Sequence, residues 1–189
     1  MANIAVIAMA SSTGGVEALE QLIPRFPTNL PPVLLVQHMP PVLTKSFAMR
    51  LNKKYEISVK EAQTGDYPQQ GQILIAPGGK HMWVVNKMNQ PTIECFEGKK
   101  IHGVMPAADV LFESVANVFR QRAIGVILTG MGADGARGLL MMRNNGAITI
   151  GQDKETSLVY GMPKVAKTMG AVAHELPLSK IVDKILSLV

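Results

Sequence analysis

The chain has 189 residues, 47% of them hydrophobic and 17% charged, which is enough to bury one core, and we expect a single domain over residues 1–189. No apolar run approaches the ~20 residues that span a bilayer, the N-terminus lacks the features of a secretory signal, and Cys95 as the only cysteine excludes an internal disulfide. These features predict a cytoplasmic protein without membrane insertion, and a net charge of +5 on scattered lysines and arginines favours acidic partners over nucleic acid.

Strands and helices alternate in the first part of the chain. The patterns predict a buried strand over 5–9, a helix over 16–22, a buried strand over 32–37, a helix over 44–51 with Thr44 as its cap, and a half-exposed strand over 56–61. Short strands over 72–76, 82–86 and 92–96 are separated by glycine, asparagine and proline turns. This segment therefore predicts an antiparallel excursion over residues 67–96.

The alternation resumes after that excursion. The sequence predicts helices over 107–120, 138–145, 163–169 and 178–188, with strands over 123–128, 147–150 and 171–175. Strands that alternate with helices indicate an α/β fold, in which a doubly wound, mainly parallel sheet is flanked by helices.

Ser12 lies in the turn between the first predicted strand and the first predicted helix. Chemistry in open α/β sheets gathers at the carboxyl ends of the strands, and Gly14 and Gly15 let a substrate approach the backbone closely, so Ser12 is a candidate nucleophile. Two other interpretations fit this segment equally well. Ser11, Ser12 and Thr13 could cap the helix, or the turn could cradle a phosphate.

Two further polar residues follow buried strands. His38 comes after the strand over 32–37, and Asp134 lies in the glycine-rich loop over 129–138. Taken alone, His38 could simply close its strand and Asp134 could cap the next helix. Together with Ser12 they supply the hydroxyl, the imidazole base and the carboxylate that acyl transfer needs. The glycine spacing matches neither the Rossmann pattern nor the P-loop, so a dinucleotide site is the weaker interpretation.

Five segments resemble the catalytic domain of the CheB-type chemotaxis methylesterases, in the same order and over nearly the whole chain. They read SSTGGVEAL (11–19), QHMP (37–40), IAPGGKHM (75–82), LTGMGADGARGL (128–139) and QDKETSLVYGMPKVA (152–166). The resemblance implies an enzyme that hydrolyses γ-glutamyl methyl esters, and deamidates certain glutamines, on the cytoplasmic helices of methylated chemoreceptors. It assigns the nucleophile to Ser12, the base to His38 and the supporting carboxylate to Asp134.

The resemblance also suggests an oxyanion hole formed by the backbone amide of Met131 and by Thr13, which lies beside the nucleophile Ser12. It implies no cofactor, and we expect no metal site, because the four histidines lie far apart. Two alternatives stay open: a non-catalytic module that binds the receptor, and a general hydrolase of small esters or amides.

The chain departs from the family pattern at Ala8 and Ala10, where glycines are expected, and at Ser11, where alanine is expected. The family usually carries an N-terminal receiver domain, and we expect none in this chain because the first strand begins near Asn3.

Three further residues are assigned structural roles. We expect His81 to fix its loop by a hydrogen bond, and Cys95 to be a packed thiol. We expect Asp109 to suit the positive end of its helix.

Overall fold

A seven-stranded parallel sheet lies at the centre of the fold that the computed structural model describes for residues 3–189. The strands are β1 (Val6–Ser11), β2 (Val33–Gln37), β3 (Ser58–Glu61), β4 (Gln72–Ile75), β5 (His81–Lys87), β6 (Gln90–Phe96), β7 (Ala123–Ile127), β8 (Ile148–Gln152) and β9 (His174–Leu176). The helices are α1 (Gly15–Leu22), α2 (Leu43–Lys54), α3 (Ala108–Phe119), α4 (Ala136–Asn144), α5 (Met162–Thr168) and α6 (Leu178–Leu186). The strand order in the sheet is β3-β4-β2-β1-β7-β8-β9.

The central strands are buried on both faces, as their continuous apolar runs predict. Side chains alternate across β1: Ile7 and Met9 join the core on the side of α1, α2 and α6, and Ala8 and Ala10 join the core beneath α3, α4 and α5. Helices therefore cover both faces, and the doubly wound α/β fold is confirmed. None of the helices within residues 3–189 is long and apolar enough to cross a membrane.

The antiparallel excursion is smaller than predicted. Only β5 and β6 pair antiparallel, as a separate two-stranded sheet that packs against α3. The expected antiparallel strand over 72–76 is instead β4, which pairs parallel with both β3 and β2. The chain returns from β3 to β4 through a loop without a helix, so the turn residues in this loop were mistaken for those of a hairpin.

The alternative that Ser11, Ser12 and Thr13 cap α1 and the prediction that Thr44 caps α2 are both wrong. The N-cap of α1 is Gly14, at φ 79° and with no capping side chain, so Ser11, Ser12 and Thr13 do not cap it. Helix α2 begins at Leu43, one residue before Thr44, whose hydroxyl donates to a Glu61 carboxylate oxygen at 2.5 Å. Within residues 3–189, the Ser12 hydroxyl caps no helix and forms no hydrogen bond, and the hydrogen bond of the His38 imidazole is to Asp134 rather than to Ser12.

Candidate active site

Ser12 and His38 leave neighbouring parallel strands at the same level. The last paired residues of β1 and β2 are Ser11 and Gln37, so Ser12 is the residue that follows β1 and His38 is the residue that follows β2. The His38 amide donates to the Ser11 carbonyl at 3.1 Å, which extends the ladder to this point. On the other side, the Ser12 amide donates to the Thr129 carbonyl at 3.0 Å, beyond the end of β7. The turn that contains Ser12 therefore lies between the carboxyl ends of strands β2 and β7.

His38 and Asp134 are in direct contact. The Nε2 atom of His38 lies 2.7 Å from Oδ2 of Asp134, and only 11% of the His38 side chain and 2% of the Asp134 side chain are exposed. An ionised carboxylate only accepts hydrogen bonds, so Nε2 carries the proton that is donated to Asp134. In the neutral ring, Nδ1 is then unprotonated and can accept a proton.

The Asp134 carboxylate is also bound by the first amides of α3. Oδ2 accepts from the Ala108 amide at 2.6 Å and Oδ1 from the Asp109 amide at 3.0 Å. Burial favours the neutral acid, but the hydrogen bonds from His38 and from these two amides outweigh burial and hold the pKa of Asp134 below its usual range. The carboxylate therefore stays ionised at neutral pH. The alternative that Asp134 caps the next helix is wrong, because α4 has Gly135 as N-cap and no capping side chain.

The loop after β7 packs closely on Ser12. A Cβ atom at Gly130 would lie 2.8 Å from the Cβ atom of Ser12 and 2.3 Å from the sulfur of Met162, so this position requires glycine. The Thr129 hydroxyl donates to the Thr13 carbonyl at 3.0 Å and ties the two loops together. Within residues 3–189, the backbone amides of Met131 and Thr13 have no hydrogen-bond partner in the protein. Both are therefore available to a ligand beside Ser12.

A cleft of about 380 Å³ opens next to His38. Its walls are residues 38–41 and 103–106, with Gly79 and Lys100 between them. His38 is part of this lining and Ser12 is not.

The amino-acid sequence that forms this site is matched by a family model over most of its length. The model described as CheB methylesterase covers residues 7–185 of the chain. The chain belongs to the CheB methylesterase family.

Relatives in this family match nearly the whole chain. A protein-glutamate methylesterase/protein-glutamine glutaminase from Agrobacterium fabrum is 50% identical over 97% of this chain, and one from Pyrococcus horikoshii is 47% identical over 100% of this chain. The chain spans about half the length of these relatives, 52% and 51% respectively. The crystal structure of the Thermotoga maritima CheB methylesterase catalytic domain superposes with a TM-score of 0.95 at 39% identity, covering 99% of this chain and 100% of the other.

His81 has a structural role, as predicted, but it lies in β5 and its hydrogen bonds fix the segment over 99–107 rather than its own loop. It is buried, its Nε2 atom lies 2.9 Å from the Lys99 carbonyl, and its Nδ1 atom accepts from the Ala107 amide at 3.2 Å. His81 therefore anchors both ends of the segment that forms one wall of the cleft.

One histidine, His102, lies close to two carboxylates that could bind a metal together with it. Its Nε2 atom lies 2.9 Å from Oδ2 of Asp109, and ligand atoms of His102, Asp109 and Asp134 come within 4.8 Å of one another. Both carboxylates nevertheless accept backbone amides, since Asp109 Oδ1 binds the Gly138 amide at 2.7 Å. They also lie at the positive end of α3, which favours anions over a cation. We therefore assign no metal here, and the structural role of Asp109 extends to the start of α4.

Cys95 is a packed thiol, as predicted. Burial raises the pKa of this thiol to about 11, and Sγ lies 3.7 Å from the Ala62 carbonyl. The thiol therefore stays protonated at neutral pH and is a poor nucleophile.

Sequence reasoning missed the residues that hold the Asp134 carboxylate. The amides of Ala108 and Asp109 come from a helix 25 or 26 residues earlier in the chain, and backbone amides carry no signal in the residue types. Gly130 was seen only as part of a glycine-rich loop, although its contact with Ser12 is what makes glycine necessary there.

Proposed function

We propose that this chain is a cytoplasmic protein-glutamate methylesterase that also deamidates glutamine, and that it works through an acyl-enzyme on Ser12. The observation that carries the proposal is the hydrogen bond from His38 to a buried, ionised Asp134, at the strand end next to the one that bears Ser12. The relatives have both activities in their names, and the match to the Thermotoga maritima catalytic domain covers that whole domain.

The acylation step begins when Ser12 Oγ bonds to the γ-carbonyl carbon of the substrate. Nδ1 of His38 accepts the hydroxyl proton, and Asp134 stabilises the imidazolium through Nε2–H. The carbonyl oxygen becomes an oxyanion, and the backbone amides of Met131 and Thr13 donate to it. One such donor commonly contributes ~3 kcal/mol to stabilising the transition state.

The intermediate collapses when His38 returns its proton to the leaving group. The C–O bond of a methyl ester breaks and methanol leaves, whereas a glutamine side chain loses ammonia from the same acyl carbon. Water then attacks the Ser12 ester, His38 takes a proton from this water, and glutamate is released with the serine hydroxyl restored. The scheme is completed by these side chains and water and needs no metal or organic cofactor.

The proposed partner is a methylated chemoreceptor, whose cytoplasmic helices present the glutamyl esters. The cleft supports this choice because it is open beside His38 and combines the apolar side chains of Met39 and Met105 with the positive charge of Lys100. An acidic helix can place its apolar and charged side chains on both kinds of surface.

The test is methanol release from methylated receptor by wild-type protein and by Ser12→Ala. We expect the substitution to lower the rate at least about 1,000-fold without changing the circular dichroism spectrum or receptor binding. Ser46→Ala is the matched control, because this exposed serine on α2 bonds only the Leu43 and Val42 carbonyls of its own helix turn. Equal methanol release by wild type and Ser12→Ala would overturn the assignment.

The same assay separates the alternatives. Hydrolysis of small esters without methanol release from receptor would identify a general hydrolase. Receptor binding with neither activity would identify a non-catalytic module. Ammonia release from a receptor that carries glutamine at its methylation sites tests the deamidase activity separately.

A further inference from the structure

Gln37, the last residue of β2, is buried and uses its whole side-chain amide. Its Oε1 atom accepts from the Ser11 hydroxyl at 2.5 Å. Its Nε2 atom donates to the Ser12 carbonyl at 3.0 Å and to the His38 carbonyl at 3.1 Å. A primary amide has two N–H donors, and here both bind the backbone of the residues proposed as nucleophile and base.

The hydrogen-bond donors and acceptors around the Gln37 amide allow only one orientation of its oxygen and nitrogen. If the oxygen and nitrogen exchanged places, Oε1 would face two carbonyl oxygens, which also only accept hydrogen bonds. The Ser11 hydroxyl supplies the donor that Oε1 needs in the observed orientation. A Cβ atom at Gly15 would lie 2.2 Å from Oε1 and 2.6 Å from the Ser11 Cβ atom, so the first residue of α1 leaves space for this pair.

The amide acts where the backbone ladder between the two strands stops. The last ladder bond between β1 and β2 runs from the His38 amide to the Ser11 carbonyl, whereas the Ser12 amide faces β7 by the normal alternation of a strand and donates to Thr129. In the part of the chain that the structure describes, residues 3–189, the next amide that would face β2, that of Thr13, forms no bond to it. Within residues 3–189, the Gln37 side chain is the hydrogen-bonded link that holds the Ser12 backbone to the β2 side beyond this point.

We propose that Gln37 is a positioning residue that sets the distance between the Ser12 hydroxyl and the His38 imidazole, and that Ser11 holds it in its working orientation. This inference rests on the proposed roles of Ser12 and His38. Gln37 is almost fully buried and is not part of the cleft lining, so it acts on the reacting groups rather than on the substrate.

Gln37→Met keeps the length of the side chain and removes its hydrogen bonds. A displacement of about 1 Å between reacting groups can cost ~100-fold in rate, so we expect kcat to fall about 10- to 100-fold with KM within about two-fold of wild type. Ser11→Ala removes one donor and leaves the amide in place. We expect it to lower kcat about 3- to 10-fold.

A double-mutant cycle tests whether the two residues act as one unit. If Ser11 acts through Gln37, Ser11→Ala changes kcat by less than about two-fold in the Gln37→Met background. Thr149→Val is the matched control, since Thr149 is buried on β8 and its hydroxyl accepts only the Ala173 amide at 3.0 Å. The control is expected to lose stability in urea without changing kcat.

A second readout does not depend on the receptor. A fluorophosphonate reacts with an activated serine, and its rate of labelling of Ser12 reports the Ser12–His38 geometry directly. Slower labelling of Gln37→Met and Ser11→Ala is expected, with the same ratios as for kcat. If wild type labels at Ser12 but releases no methanol, the proposed function fails while the labelling ratios still decide the positioning role.

The proposal is overturned if Gln37→Met labels within about two-fold of wild type, or if Ser11→Ala has the same effect in both backgrounds. Should Gln37→Met not fold, Ser11→Ala alone decides, because it removes a single hydroxyl. Labelling by Ser11→Ala within about two-fold of the wild-type rate then rejects the role of the pair, and labelling at least about 3-fold slower supports it.

Discussion

Asp134→Asn separates the two tasks of the buried carboxylate, which are to support the base and to bind the start of α3. The carboxylate accepts three hydrogen bonds, at 2.6, 2.7 and 3.0 Å, from the Ala108 amide, His38 Nε2 and the Asp109 amide. An asparagine keeps only one acceptor atom there and directs its own N–H₂ at groups that also donate. If the amide nitrogen takes the Oδ2 position it faces the His38 Nε2–H, which then has to give up its proton to Nδ1, and if the oxygen takes that position the N–H₂ faces the Asp109 amide. In both orientations the negative charge that stabilises the imidazolium is lost.

The kinetic effect is therefore expected to be large. The corresponding change in a serine protease lowers kcat about 10⁴-fold, which equals roughly 5 kcal/mol of transition-state stabilisation. We expect a loss of about 10³- to 10⁴-fold in methanol release and in fluorophosphonate labelling of Ser12. Asp66→Asn is the control, because Asp66 binds Lys60 and the Gln63 amide at a distance from the site. Activity of Asp134→Asn within about ten-fold of wild type would refute the proposed role.

The same variant tests the electrostatics of folding. Charge-assisted hydrogen bonds contribute ~1.5–3 kcal/mol each and a helix terminus up to ~2 kcal/mol, so Asp134→Asn should lower the free energy of unfolding by about 2–4 kcal/mol at pH 7. Because the folded protein holds the pKa of Asp134 below its usual range, the stabilisation is complete above the unfolded pKa of ~3.9 and is lost as pH falls through the folded value. The difference between wild type and variant, measured in urea, should therefore shrink in acid. A difference that stays constant down to the acid transition contradicts this account.

Three other substitutions or modifications test structural features near the site. His81→Leu leaves the Ala107 amide and the Lys99 carbonyl without their partner, so the free energy of unfolding in urea should fall by about 2 kcal/mol or more, and a loss below ~0.5 kcal/mol contradicts the anchoring role. Because the pKa of Cys95 is about 11, iodoacetamide at pH 8 should alkylate the folded protein about 100-fold more slowly than the urea-unfolded protein, and equal rates would show an accessible thiolate. Val42 is exposed and has φ 76°, which a β-branched residue rarely adopts, so Val42→Gly should raise the free energy of unfolding by about 1 kcal/mol and the melting temperature by about 2–4 °C. Val42→Ala, which keeps its Cβ, should raise neither.

Local pattern predicted the strands that carry the site, because a strand buried on both faces leaves a continuous apolar run in the sequence. The predicted ends of the strands over 32–37 and 123–128 agree with β2 and β7 to within one residue. Prediction was poorer where pairing direction mattered. A short strand such as β4 looks the same in sequence whether its neighbours run parallel or antiparallel, and the glycine and proline turns before it suggested a hairpin.

Helix ends and buried polar contacts could not be predicted from local sequence patterns, because they depend on contacts between residues that are distant in the chain. Thr44 has the residue type of a cap, yet its hydroxyl binds Glu61 on a strand that only the folded chain brings near. The residue type and position of Gln37 in the sequence do not reveal its contacts. Its side chain bonds the Ser12 and His38 carbonyls just beyond the ends of β1 and β2, which only the folded sheet brings together. Asp134 was identified by residue type, but its binding to the first turn of α3 depends on how α3 packs beside α4.

The strand order explains how residues so far apart in sequence meet. From β1 the chain moves to β2 on one side of the sheet, and only after β6 and α3 does it return to add β7 on the other side of β1. The strands that follow β1 in the chain are thus added first on one side of β1 and later on its other side. Crevices for ligands form where the order of strand addition reverses in this way in open α/β sheets. Ser12 follows the strand at the reversal, while His38 and Asp134 follow its two neighbours. The order Ser, His, Asp along the chain is thus a consequence of which strand is laid down first, and any sheet with the same reversal could hold the same three groups in another order.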